Sequence, residues 1–265
     1  MNVQPRPRRP PFDRGARLTG ANFPEAFRKH TLAAELRRWN AGAARAGTVP
    51  AMPAEPKPRL RGLFHQWAFV AALIAGAVLV TRAPSGRAAA VGAVYAAALA
   101  GMFGASALYH RVPWPPSLRP WFRRLDHAMI FVLIAGTTTP VTVLGLEGVL
   151  PVVVLTVVWT GALVGVLANL VWIGAPRRLV ASVYVVLGWV GIVLLPETAR
   201  HIGLAPALLF VAGGALYTAG AVIYIRRRPD PRPAVFGFHE IFHLFVIAAA
   251  LAHYVAIAAF VVPRG

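Results

Sequence analysis

The 265-residue chain is 57% hydrophobic and only 14% charged, against about 25% charged in an ordinary soluble domain, so most of it is not made to face water. Its net charge of +18 would point a soluble protein toward nucleic acid, but basic residues that flank apolar runs meet anionic lipid instead, and nucleic acid is set aside. The chain has no cysteine, which excludes disulfides and thiolate metal sites, so any transition metal must be held by histidine and carboxylate.

Residues 1–60 form a basic tail of Pro, Arg, Ala and Gly, and thirteen of the 27 Lys and Arg fall within the first 62 positions. The composition predicts a largely disordered cytoplasmic segment that lies on the lipid surface. A short helix is expected around Pro24–Trp39, where Phe27, Leu32, Leu36 and Trp39 approximate one face. The tail carries no apolar h-region, so it does not read as a cleavable signal peptide.

Residues 61–265 hold seven apolar runs, each near the roughly 20 residues that a helix needs to cross a bilayer core. They are Leu63–Val80, Ala88–Tyr109, His127–Leu144, Leu150–Trp172, Leu179–Leu195, Leu204–Ile225 and His239–Val262. The joints are short and most contain Pro or Gly, as helix ends and turns prefer. Gly and Ala recur inside the runs and permit close helix contacts. The fold class is therefore all-α, a seven-transmembrane helix bundle.

Charge sets the expected orientation. The second, fourth and sixth joints carry Arg111, Arg119, Arg123, Arg124, Arg177, Arg178, Arg226, Arg227, Arg228 and Arg232. The opposite joints and the C-terminus carry only Arg82, Arg87, Arg200 and Arg264. An excess of Lys and Arg marks the cytoplasmic side, so the chain is expected in the cell (inner) membrane with its N-terminus cytoplasmic and its C-terminus outside.

Ionisable residues within spans are costly and usually functional. Those here are His65, His110, Asp126, His127, His239, Glu240, His243 and His253. His110 ends the second span, Asp126 and His127 open the third, and His239, Glu240 and His243 open the seventh. All are expected at one depth near the cytoplasmic face. His239 and His243 are four residues apart, so both imidazoles project from one helix face and can share a metal. A third imidazole from His110 would complete the three-ligand set of a catalytic Zn²⁺ and leave a position for water. Asp126 would hold that water or orient an imidazole. Ser106 shares a face with His110 and would bond substrate or a carbonyl oxygen. His65 and His127 read as interfacial residues. His253 lies roughly 21 Å deeper than His239 and reads as an interhelical hydrogen-bonding residue, not a ligand.

Three segments carry a resemblance. SALYH at Ser106–His110, LDHAMIFVLIAGTTTP at Leu125–Pro140 and HEIFHLFVIAAALAHY at His239–Tyr254 resemble the hemolysin III proteins. These are the bacterial branch of the progestin and adipoQ receptor (PAQR) superfamily. RLRGLFH at Arg59–His65 is similar to the start of that family's first span, and the likeness extends to about Val262. TTTP at Thr137–Pro140 departs from the family's commoner GTYTP. The resemblance implies a seven-span bundle with a cytoplasmic N-terminus and an inner-leaflet zinc ion held by His110, His239 and His243. It implies that Asp126 holds the zinc-bound water and that Ser106 is the Ser of the SxxxH motif.

Three functions follow from these readings. The first is a zinc-dependent hydrolase of lipid amides, similar to ceramidases, with an acyl chain between the helices and membrane lipids as partners. The second is an intramembrane metalloprotease, because HEIFH at His239–His243 fits H-E-x-x-H with Glu240 as general base. Glu240 is turned about 100° from His239, however, which aims it at the arginines of the sixth joint. The third is a non-enzymatic receptor, stress-response or pore-forming (hemolysin) protein in which zinc is structural.

Overall fold

A computed structural model of the protein describes residues 58–172 and 175–265, without the Arg177 side chain. The helix expected around Pro24–Trp39, and the tail to which it belongs, lie outside these residues. Eight α-helices run through the described part: α1 Leu63–Thr81, α2 Gly86–Arg111, α3 Arg119–Pro140 and α4 Val149–Val171, then α5 Arg177–Trp189, α6 Leu195–His201, α7 Leu204–Arg226 and α8 Phe238–Ala256. They compose seven helices long and apolar enough to cross a membrane, α5 and α6 sharing the fifth. Seven spans match the expectation from hydropathy.

Span ends differ from the apolar runs where helix continues into polar sequence. The third span begins at Arg119 and not at His127, because Pro120 opens α3 in the first turn, where its missing N–H has no helical partner to lose. The fifth span continues past Pro196 to His201. There the chain tightens into a 3₁₀ turn over Val190–Leu194, and Pro196 falls in the first turn of α6. Pro140 closes α3 and is followed by a π-helical turn, Val141–Gly145. Thr137, Thr138 and Thr139 each bond back to the carbonyl four residues earlier, so these hydroxyl protons are satisfied within α3 itself.

Consecutive helices pack side by side, and α8 returns against α1. The buried stripe of α1 is His65, Ala72, Gly76 and Leu79, and the small Ala72 and Gly76 at its middle let α2 approach. A methyl on Gly76 would lie 2.8 Å from Ala96 Cβ. One core gathers Leu79, Tyr95, Leu99, Met102, Phe103 and Ile257; the other gathers Phe131, Val154, Val158, Leu194 and Val261. Large apolar side chains such as Trp67, Val149, Leu163 and Leu204 are exposed, as lipid-facing residues are. Trp159 Nε1 donates to Thr139 Oγ1 at 3.1 Å and ties α4 to α3.

Two local features hold the start of α1 against the end of α2. Gly62 has φ +78°, and a Cβ there would lie 2.5 Å from His110 Cβ, so only glycine lets the chain turn into α1 at this distance. Just before it, the amides of Arg59 and Leu60 donate to the carbonyls of Ala234 and Val235 in the α7–α8 loop. The beginnings of α1 and α8 are thereby stitched together beside the end of α2.

Candidate metal centre

His110 sits in the last turn of α2, Asp126 in the second turn of α3, and His239 and His243 on successive turns of α8. The antiparallel order brings these helix ends to one end of the bundle. His110 Nε2 and His239 Nε2 are 3.2 Å apart. One nitrogen from each of His110, His239 and His243 can be chosen so that all lie within 4.8 Å of one another. Nitrogens at about 2.0–2.1 Å from a tetrahedral ion stand roughly 3.3 Å apart, so the His110–His239 spacing already suits a shared cation. The donor set is wholly imidazole, and His110 and His243 are buried. Such a cluster can hold a first-row divalent metal with a coordination position to spare.

Asp126 Oδ2 lies 3.7 Å from His110 Nε2, and the carboxylate faces the Ser106 hydroxyl. Ser106 Oγ is 2.8 Å from His65 Nδ1. The His65 ring lies flat on His243, with centroids 3.8 Å apart and planes 8° from parallel. His65 is 2% exposed and buried inside this cluster, which corrects its reading as an interfacial residue. The signal was present in the sequence: His65 lies seven residues, two helical turns, before Ala72, in line with Ala72, Gly76 and Leu79 on the buried face of α1.

Glu240 does not join the histidines. Fully buried, it accepts from Arg61 Nε at 2.5 Å through Oε1 and from the Gly237 amide at 2.8 Å through Oε2. Its partner is therefore the arginine before α1, not those of the sixth joint. One carboxylate caps α8 and clamps it to the segment that opens α1. His253 Nε2 is 3.2 Å from the Phe210 carbonyl, the interhelical bond expected for it. His127 presents its carbonyl to the Tyr184 hydroxyl at 3.1 Å and stays outside the metal cluster.

The cluster opens into a cavity of about 680 Å³ that runs along the bundle. His65, Ser106, His110, Asp126, His239 and His243 line one end, and Leu194, Leu195 and Thr198 line the far end. Ile130, Leu133, Ile134, Val185, Val211 and Val246 are among the side chains between. A polar constellation at the mouth of a mainly apolar channel suits an amphiphile with its polar group at the histidines.

The bundle and this site define a polytopic membrane protein with a histidine cluster bridging its second and seventh spans. The sequence matches the family described as Haemolysin-III related over residues 54–254, and the chain belongs to that family. It is 28% identical over 170 residues to Hemolysin-3 of Bacillus cereus, covering 64% of this chain and 74% of that protein. It is 36% identical over 129 residues to the Hemolysin-3 homolog of Bacillus subtilis (strain 168), covering 48% of this chain and 57% of that protein. A 91-residue stretch is 40% identical to the heptahelical transmembrane protein ADIPOR2 of Oryza sativa subsp. japonica, covering 31% of this chain and 40% of that protein. The likeness supports a place in the wider PAQR superfamily.

Proposed function

We propose that the protein is a zinc-dependent hydrolase of lipid amides, ceramidase-like, working at the inner leaflet of the cell membrane with its N-terminus in the cytoplasm. The observation that carries the reading is the convergence of His110, His239 and His243 beside Asp126 at the end of a mainly apolar cavity. Three imidazoles with an open position are the donor set of a catalytic zinc site. Zinc there would supply Lewis acidity and lower the pKa of water at the site.

The residues of the chain divide the remaining work. Asp126 orients the attacking water and accepts its proton through the carboxylate that faces Ser106. Carrying that proton to the departing amine returns Asp126 to its starting state. Ser106, fixed by His65, sets the direction of the carboxylate and lies within reach of a substrate carbonyl oxygen. The cavity takes the acyl chain and keeps bulk water from the reacting bond.

The test is metal content and lipid-amide cleavage in purified protein and in His243→Ala. The reading expects near-stoichiometric zinc and turnover in the native protein, and loss of both in the variant. Turnover that persists without metal would overturn it. A zinc-loaded protein that cleaves no lipid amide would leave the receptor reading, with zinc tying the second and seventh spans together. The metalloprotease reading loses its general base, because both carboxylate oxygens of Glu240 are engaged away from the imidazoles. Pore formation draws little support, because the cavity lining is mainly apolar.

A further inference from the structure

A second set of polar groups, Arg124 and Asn169, lines the same cavity, and the hydrolase reading leaves it unused. Arg124 is only 7% exposed, although its neighbours Arg119 and Arg123 on α3 are exposed. Its guanidinium lies over the Trp121 ring, 4.2 Å from the centroid, and its Nε is buried without a hydrogen-bond partner. Arg124 enters none of the ion pairs among the described residues. Arginines that only mark the cytoplasmic face stay among headgroups and water, whereas a buried guanidinium N–H without an acceptor is costly.

Asn169, in the last turn of α4, also has a buried amide nitrogen without a partner and lines the cavity. The antiparallel register sets its height. Thr139 faces Trp159, and Phe131 fills the space beside Gly165. Four residues further along, that register puts Asn169 opposite His127, about 4.5 Å of helical rise from Arg124. Tyr184 reaches the same level from α5, where its hydroxyl meets the His127 carbonyl. Around α3, Arg124 is turned about 200° from Asp126, so the two flank the cavity-lining face from opposite sides.

Both unpartnered groups are donors, and one is a permanent cation with a fork that fits two oxygens of one anion. We propose that Arg124 and Asn169 form a subsite for the oxyanion of a lipid headgroup, a phosphate or carboxylate. The lipid's chain would occupy the cavity, and its oxyanion would sit about a helix diameter, roughly 10 Å, across from the histidine cluster. The subsite makes the protein a reader of anionic amphiphiles. As a statement about binding it holds with or without turnover; as a statement about substrate class it rests on the hydrolase reading.

The test uses the full chain in neutral detergent with three probes: lysophosphatidic acid, the monoacylglycerol of the same chain length, and inorganic phosphate. Native protein should bind the phosphate-bearing lipid at least tenfold more tightly than the neutral one. The preference should fall below threefold in Arg124→Gln and in Asn169→Leu, with metal content unchanged in both. Asn169→Leu leaves the Trp121 stack in place, so it decides the matter if Arg124→Gln fails to fold. Equal binding of the two lipids by native protein would overturn the proposal. So would an unchanged preference in Asn169→Leu, or inorganic phosphate alone binding as tightly as the lipid phosphate. Headgroup preference is read from binding, so loss of the hydrolase reading through absent turnover would not be mistaken for its failure.

Discussion

His65 stacks on His243 with ring centroids 3.8 Å apart, and its Nδ1 lies 2.8 Å from Ser106 Oγ. One side chain of the first helix thus sets the ring plane of one candidate ligand and anchors the hydroxyl facing Asp126. Groups that orient a ligand from behind typically affect metal affinity by about 10–100-fold. His65→Ala, which removes both contacts, should weaken zinc binding by about tenfold in a competitive chelator titration. His65→Phe keeps a ring against His243 and should lose less than about threefold. Equal losses in the two variants would assign the effect to the Ser106 bond rather than to the stack.

Glu240 separates two chemistries. As a clamp between Arg61 and the α8 N-terminus, Glu240→Gln should lower stability by roughly 2–3 kcal/mol, at or below the range for breaking a fully buried pair, because Arg61 keeps 21% of its side chain exposed. Zinc content and lipid-amide turnover per folded molecule should stay within about twofold of native. Thermal unfolding in detergent, with metal analysis of the folded fraction, gives the comparison. Abolished turnover in a folded, zinc-loaded Glu240→Gln protein would restore Glu240 as a base.

Gly62 carries a conformational demand and a spatial one at the same residue. Gly62→Ala requires an L-residue at φ +78° and sets its methyl 2.5 Å from His110 Cβ. The left-handed backbone alone costs about 1–2 kcal/mol, and relief of the clash must move His110 or the start of α1. A lower melting temperature together with weaker zinc binding is expected. A lower melting temperature with unchanged zinc affinity would mean that α1 moves instead of His110.

His253 supplies the control for the ligand set. His253→Leu removes the bond to the Phe210 carbonyl, and interhelical hydrogen bonds in membranes average about 0.6 kcal/mol. A small drop in stability and full metal content are expected. His110→Ala, by contrast, should empty the site. Loss of zinc from His253→Leu would force a different ligand set.

How much of this was legible depends on sequence distance. The spacing of His239 and His243 is local, and helix geometry alone puts their rings on one face. Their depth relative to His110 and Asp126 follows from counting antiparallel spans. The partner of Glu240 was not legible, because Arg61 lies 179 residues away and hydropathy assigns no contacts across that distance. The sixth-joint arginines were simply the nearest charges along the chain. Arg124 read as one more basic residue at a membrane face, since burial depends on Trp121 and the neighbouring helices rather than on composition. Asn169 became notable only once the α3–α4 register was fixed.

Hydropathy and charge alone specify a seven-span helical bundle with costly polar groups gathered at one end. A bilayer admits few backbone solutions, and apolar runs of the right length specify this one. Which polar groups meet is a matter of helix packing. That packing brought His110 and His239 to 3.2 Å across 129 residues, laid His65 on His243, and drew Glu240 away to Arg61. It also left Arg124 and Asn169 with unpartnered donors in the walls of the cavity. Those outcomes rest on helix rotation and register, which are set by the fit of small residues such as Gly62, Gly76 and Gly165 against neighbouring helices, and no one-dimensional pattern records that fit.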